Sequence, residues 1–142
     1  MFRTFLVAAL IALVPLAPAS AQRNKPAVPD LTAGGQADDK HDWNLGPTGA
    51  RGWMWGWKRE TTDARQILVT EVTPGSPAAG VLLRGDVILG VGDVPFKGDP
   101  RRVLGDAITA AEGRKGKGRL TLLVWRGGDR QMVEIILPIL SE

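Results

Sequence analysis

The segment between Thr70 and Phe96 constrains the fold more than any other part of the sequence. It reads TEVTPGSPAAGVLLRGDVILGVGDVPF, so two apolar runs flank a stretch of proline, glycine and alanine. β-Branched residues favour strands, whereas proline and glycine favour the turns between them. Pro77 suits the start of a helical turn, and Gly80 can adopt the backbone angles that end it. The segment therefore predicts a strand, a short helix and a second strand.

Further strands are predicted on both sides of this segment. Large residues alternate over residues 53–57, and β-branched residues dominate residues 66–72, which is typical of strands. Near the end of the chain, apolar residues 120–125 and 132–137 flank the sequence Gly127-Gly128-Asp129. A glycine-rich turn between two apolar runs predicts an antiparallel hairpin.

One longer helix is predicted between these strands. Asp99 is a typical N-cap residue, Pro100 suits the first helical position, and apolar residues then recur at helical spacing as far as Gly113. We predict an α+β, mainly β fold: a small, partly open β-barrel or sandwich of five to six strands, capped by one long and one short helix.

The N-terminus has the layout of a secretory signal peptide. Arg3 precedes an apolar run over residues 5–16, and small residues lead up to Ala21. The run is shorter than the ~20 apolar residues that span a bilayer. We predict a signal peptide over residues 1–21, and a periplasmic or extracellular product without a membrane span.

The rest of the chain divides into two parts. Residues 22–41 have few large apolar side chains, which predicts a flexible linker. Residues 42–140 then form one folded domain, because they hold all five tryptophans and most of the β-branched runs.

Composition argues against several classes of function. The chain has no cysteine and a single histidine, His41, so neither disulfides nor a typical zinc site is expected. Its formal net charge is only +3, which does not indicate a nucleic-acid partner. Ser76 lies in a proline-flanked turn without the context of a nucleophile, and no phosphate-binding loop is present. We predict no catalytic residue, no metal and no cofactor, and hence no enzyme.

The order of these elements resembles that of PDZ domains over residues 42–140. The resemblance is carried by PGSPAAG at residues 74–80, by RGDVIL at residues 84–89, and by the capped helix and final hairpin. The leader DWNLGPTGARGW at residues 42–53 resembles the start of the N-terminal PDZ-like module of large exported bacterial proteins of uncharacterised function. The resemblance implies an exported protein-binding module without catalysis, which binds peptide segments or C-termini by β-strand addition.

The resemblance also implies where a partner binds. PDZ domains add a partner's extended C-terminus between their second strand and long helix, and glycine-loop N–H groups hold its carboxylate. Here the apolar helix wall implies a partner with apolar last residues, although helix residues at this spacing also serve simply to pack a helix onto a sheet. The matching positions are Ala50, Arg51, Gly52 and Trp53 in the loop, and Leu104 and Ile108 in the helix. The accepting strand would run from Trp53 to Trp57 and include Met54 and Trp55.

Two details of this site stay open. Arg51 stands where the family has an apolar residue, so it either strengthens anion binding or points to solvent. Trp53 is bulky for the terminal pocket, which puts the capture of a free C-terminus in doubt and leaves internal strand addition as an alternative.

Two other functions also stay open. The chain could be a targeting or regulatory module of a larger exported enzyme or surface protein. Alternatively, Trp53, Trp55 and Trp57 share one face of the predicted strand, and exposed indoles in a row stack on sugar rings in carbohydrate-binding modules. If these tryptophans are buried instead, they are core residues.

Overall fold

The structure, a computed structural model, describes residues 25–140, and the predicted signal peptide lies outside the described residues. The element order is β1 (Asp42–Asn44), β2 (Ala50–Trp53), β3 (Ile67–Val72), β4 (Val87–Val91), β5 (Val94–Pro95), α1 (Pro100–Glu112), β6 (Arg119–Arg126) and β7 (Asp129–Ile136). A 3₁₀ turn, Gly46–Thr48, joins β1 to β2.

The strands form one antiparallel sheet in the order β1-β2-β3-β4-β6-β7, with β5 paired to β4. The helix α1 packs against β4 and β6. The predicted mainly β class is therefore confirmed, with seven strands in the described part of the chain where five to six were expected. Among residues 25–140, no helix combines the length and the apolar character that crossing a membrane requires.

The helix α1 has the predicted ends. The Asp99 side chain accepts a hydrogen bond from the Arg101 N–H at 3.0 Å, which caps the first turn. Pro100 occupies the first helical position, and Gly113 follows the last helical residue. The hairpin between β6 and β7 also turns where the sequence predicts. Gly127 and Gly128 both have positive φ angles, 60° and 89°, as a two-residue hairpin turn requires.

Two predicted elements differ. Where a short helix is predicted, residues 77–82 form turns in which the Ala78 carbonyl accepts from the N–H groups of Val81 and Leu82. The strand predicted over residues 53–57 is wrong beyond Trp53, since the chain leaves the sheet there and Trp57 forms only an isolated bridge.

Apolar side chains fill both faces of the sheet. A large cluster lies between the sheet and α1 and includes Ile67, Ile88 and Leu104. A smaller cluster consists of Val87, Leu89 and Leu123, at alternate positions of β4 and on β6, with Leu31, Leu68 and Trp125 packed against it. Because neighbouring strand residues point to opposite faces, this second cluster covers the other side of the sheet.

Residues 25–41, the described part of the predicted flexible linker, lie against the domain. The Leu31 N–H donates to Gln66 Oε1 at 2.7 Å, and Gln66 Nε2 donates to Asp30 Oδ1 at 2.9 Å. The Trp53 indole N–H donates to Asp38 Oδ1 at 2.8 Å. Side-chain and backbone bonds thus attach this segment to β2 and to the loop between β2 and β3.

Candidate functional site

A groove of about 300 Å³ lies between β1 and α1. Most of its lining is apolar or contributed by glycine, and one cationic side chain stands in it. We call it the β1–α1 groove. Its lining residues are Trp43, Asn44, Leu45, Gly46, Pro47, Met54, Arg101, Leu104, Gly105 and Ile108.

One side of the groove is an open strand edge. Within the described residues, β1 pairs only with β2. The Leu45 N–H donates to the Ala50 carbonyl at 3.0 Å, and the Met54 N–H donates to the His41 carbonyl at 3.1 Å. Since hydrogen-bonded pairs alternate along an antiparallel ladder, the N–H and C=O groups of Asn44 point away from β2. They are available to an added strand.

The other side of the groove is the surface of α1. Leu104 and Ile108 are buried and line the groove, so they serve the core and the site at once. Gly105 lies beside them, and a Cβ added there would meet no atom within 4 Å. The helix therefore presents two apolar side chains and one position without any side chain.

A cation–π contact joins the two sides at one end. The Arg101 guanidinium lies 3.9 Å from the centre of the Trp43 ring. Arg101 belongs to the first turn of α1, where a cation is not favoured by the helix dipole. Stacking on the indole offsets this by about 0.5–1 kcal/mol at an exposed position. The contact places a positive charge beside an otherwise apolar groove.

The loop after β1 has few N–H groups left to hold a carboxylate. The Leu45 N–H is taken by Ala50, and the Gly46 N–H donates to Asn44 Oδ1 at 2.8 Å. Pro47 has no N–H at all. Capture of a carboxylate needs several free N–H groups that converge on one point. These residues do not supply them.

The predicted site residues are only partly brought together. Met54, Leu104 and Ile108 line the groove. Ala50, Arg51, Gly52 and Trp53 form β2, and both edges of β2 are occupied, by β1 and β3. An interior strand cannot accept another, so residues 50–53 offer no free edge and residues 54–57 lie outside the sheet. Within the described residues, the free edge at this end of the sheet belongs to β1.

Three predicted residues have other roles. Trp53 and Trp55 are buried, with exposed fractions of 3% and 7%, and they line a space under residues 28–31 instead. The Arg51 side chain is exposed but not free, because its Nε donates to Asp42 Oδ2 at 2.6 Å. Because Trp53 and Trp55 are buried, the three tryptophans do not form a row of exposed indoles, which was the basis of the carbohydrate-binding alternative.

Sequence reasoning missed Trp43, Asn44, Gly46, Arg101 and Gly105. The available signal was the leader DWNLGPTG, which places an aromatic and an apolar residue two positions apart before a turn. In residues 25–140, no three His, Cys, Asp or Glu side chains are grouped so that they could hold a metal ion.

The fold and the groove define a mainly β domain in which an open strand edge borders a helix. No protein-family model matches the chain, and no curated protein matches it. Among solved structures it is similar to the HtrA-type protease AlgW, solved with a decapeptide, at 27% sequence identity and a TM-score of 0.40. The matched part covers 53% of this chain and only 22% of the protease chain. A similarity of this degree defines neither the fold nor the function.

Proposed function

We propose that the chain is an exported, PDZ-like module that binds an extended peptide segment of a partner protein and performs no catalysis. The segment adds as a strand to the free edge of β1 and places an apolar side chain in the β1–α1 groove. Main-chain hydrogen bonds to Asn44 supply part of the affinity, and the groove supplies the selectivity.

Gly105 is the observation that carries this proposal. A glycine inside a helix costs about 1 kcal/mol relative to alanine. Packing does not require it, since a Cβ would meet nothing within 4 Å. Without a side chain at this position, the groove stays open between Leu104 and Ile108. An open groove at the cost of helix stability indicates that a ligand side chain occupies it.

The groove fits an internal segment better than a C-terminus. The N–H groups of Leu45 and Gly46 are already bonded, and Pro47 lacks one, so a terminal carboxylate gains little there. The Arg101 guanidinium is the charged group at the groove. We therefore expect the partner to carry an apolar residue next to an acidic one.

The test uses two libraries of short random peptides, one displayed with free C-termini and one displayed between flanking sequences. Selected peptides are then measured by fluorescence polarisation in acetylated forms with a free or an amidated C-terminus. We expect binders from the internal library, and a change in Kd on amidation of less than about twofold, or ~0.4 kcal/mol.

Gly105→Phe fills the groove and should weaken binding at least about tenfold, or ~1.4 kcal/mol. The matched control is Asp106→Phe, at the next helix position, which is exposed and does not line the groove. Gly105→Ala should raise the free energy of unfolding by about 1 kcal/mol, and that result would show that the position tolerates a side chain. Binding that requires the free carboxylate would overturn the internal mode. Equal binding by wild type and Gly105→Phe would overturn the groove itself.

A further inference from the structure

The strand β7 offers a second open edge, at the other end of the sheet from β1. It is eight residues long, Asp129–Ile136, and within residues 25–140 it pairs only with β6. A long unpaired edge is a template for another strand. Met132 and Ile136 on this strand have exposed fractions of 48% and 56%.

The backbone groups that face outward can be assigned from the register. The Leu137 N–H donates to the Gly118 carbonyl at 2.7 Å, and the pairing of β6 with β7 continues without a shift to Asp129. Hydrogen-bonded pairs alternate, so odd-numbered residues of β7 bond to β6. Arg130, Met132, Glu134 and Ile136 therefore direct their N–H and C=O groups outward.

These outward residues are complementary to a second copy of themselves. If two β7 strands run antiparallel about a two-fold axis at Met132, Arg130 of each copy lies opposite Glu134 of the other. An axis at Arg130 or at Glu134 would set like charges opposite each other, which destabilises a strand pair. An axis at Val133 would set Glu134 opposite Met132. The register centred on Met132 thus pairs both charged residues that direct their backbone groups outward, Arg130 and Glu134.

The same register continues an apolar row. Met132 lies opposite Leu123 in the β6–β7 ladder, and directly opposed residues share a face of the sheet. Leu123 belongs to the second cluster, with Val87 and Leu89. Pairing at Met132 joins this cluster to its equivalent in the second copy and covers side chains that are half exposed in one copy.

We infer that the chain forms a symmetric dimer by antiparallel pairing of β7 with β7 of a second copy, centred on Met132. Charged residues normally protect an edge strand against pairing with another strand. Here Arg130 and Glu134 have opposite charges and lie two residues on either side of the axis, so they attract an antiparallel copy. Because β1 lies at the far end of the strand order, this pairing leaves the β1–α1 groove of each copy open.

Disulfide trapping tests the register. The chain has no cysteine, so Met132→Cys introduces a single thiol. Hydrogen-bonded antiparallel partners have Cα atoms about 5.5 Å apart, within the range of roughly 4.4–6.8 Å that a disulfide spans. We expect Met132→Cys to form a covalent dimer under mild oxidation. Thr109→Cys, exposed on α1, is the control and should stay monomeric.

A charge exchange tests the recognition, with sedimentation equilibrium over a concentration series as the readout. Arg130→Glu should weaken the dimer at least about tenfold, because the new carboxylate of each copy would then lie opposite Glu134 of the other. Arg130→Glu combined with Glu134→Arg should restore the opposite charges and the dimer. Within one copy, Glu134 Oε1 also lies 3.7 Å from Arg119 Nε. Arg119→Gln therefore measures the effect of losing this intramolecular ion pair alone. Circular dichroism shows whether each variant is folded. A wild type that stays monomeric, equal cross-linking of the two cysteine variants, or no rescue by the double exchange would overturn the inference.

Discussion

Arg126 and Asp86 form a two-pronged ion pair that attaches the end of β6 to the turn before β4. Arg126 Nε donates to Asp86 Oδ1 at 2.8 Å, and Arg126 Nη2 donates to Asp86 Oδ2 at 2.6 Å. Asp86 is 2% exposed, and its carboxylate also accepts the Leu83 N–H at 2.8 Å. Hydrogen bonding to Asp86 raises the pKa of Arg126. The ion pair attaches the turn of the Thr70–Phe96 segment to the end of β6.

Arg126→Met should lower the free energy of unfolding by about 3 kcal/mol, because it leaves a buried carboxylate without its cation. Arg126→Lys keeps the positive charge but cannot donate two parallel hydrogen bonds to the carboxylate, so the loss of stability should be smaller. Urea unfolding monitored by tryptophan fluorescence measures both. Arg84→Met, an exposed arginine in the same turn, is the control and should change stability by less than about 0.5 kcal/mol. Equal losses for Arg126→Met and Arg84→Met would show that the pair does not stabilise the turn.

The carboxylate of Asp42 should make stability depend on pH in the acid range. Partial burial alone would raise the pKa of Asp42, but hydrogen bonds from Thr70 and Arg51 and the Arg51 charge outweigh it, so the pKa lies below 3.8. A group whose pKa is lower in the folded state stabilises the fold above its unfolded pKa and loses that effect as the pH falls through the folded value. Wild type should therefore be more stable than Asp42→Asn near neutral pH.

The difference should be at most about 1 kcal/mol, because both partners are exposed, and it should shrink as the pH falls below 3.8. Chemical unfolding of the two proteins at a series of pH values measures it. Asp129→Asn, at an exposed position on the hairpin between β6 and β7, is the control and should leave the pH dependence unchanged. A difference that grows on acidification would contradict the sign of the Asp42 effect.

Residues 25–41 should be held on the domain by Gln66. The Leu31 N–H donates to Gln66 Oε1, and Gln66 Nε2 donates to Asp30 Oδ1. Gln66→Ala should therefore speed hydrogen exchange at the Leu31 amide by about five- to tenfold, corresponding to the ~1–1.4 kcal/mol of one hydrogen bond. Exchange at β6 amides is the internal control and should not change. Fast exchange at Leu31 in the wild type would show that the predicted flexible linker is free.

The candidate site could be predicted only in part. Leu104 and Ile108 were predicted from the resemblance, and their helical spacing agrees with a face of α1 that meets the sheet. The edge strand was missed because Asp42 and Asn44 are depleted in strands, so local preference predicts none there. β1 forms through tertiary contacts instead, with Leu45 buried in the core and the Trp43 ring packed under Arg101.

The run Trp53-Met54-Trp55 misled for a related reason. Its three side chains are all buried, at 3%, 1% and 7% exposure, so they do not alternate between a buried and an exposed face as a surface strand would. The chain passes through the core there and leaves the sheet. Composition shows that such residues are apolar, but not which neighbours surround them.

The sequence by itself determined the mainly β class, the ends of α1 and the hairpin, because caps, glycine turns and hydrophobic periods act through neighbouring residues. Tertiary structure alone decided that β1 and β7 lie at the ends of the strand order. It also paired Asp86 with Arg126, forty residues apart. The segment from Thr70 to Phe96 thus determines the scaffold, whereas the open edges arise from strand pairing between residues distant in the chain.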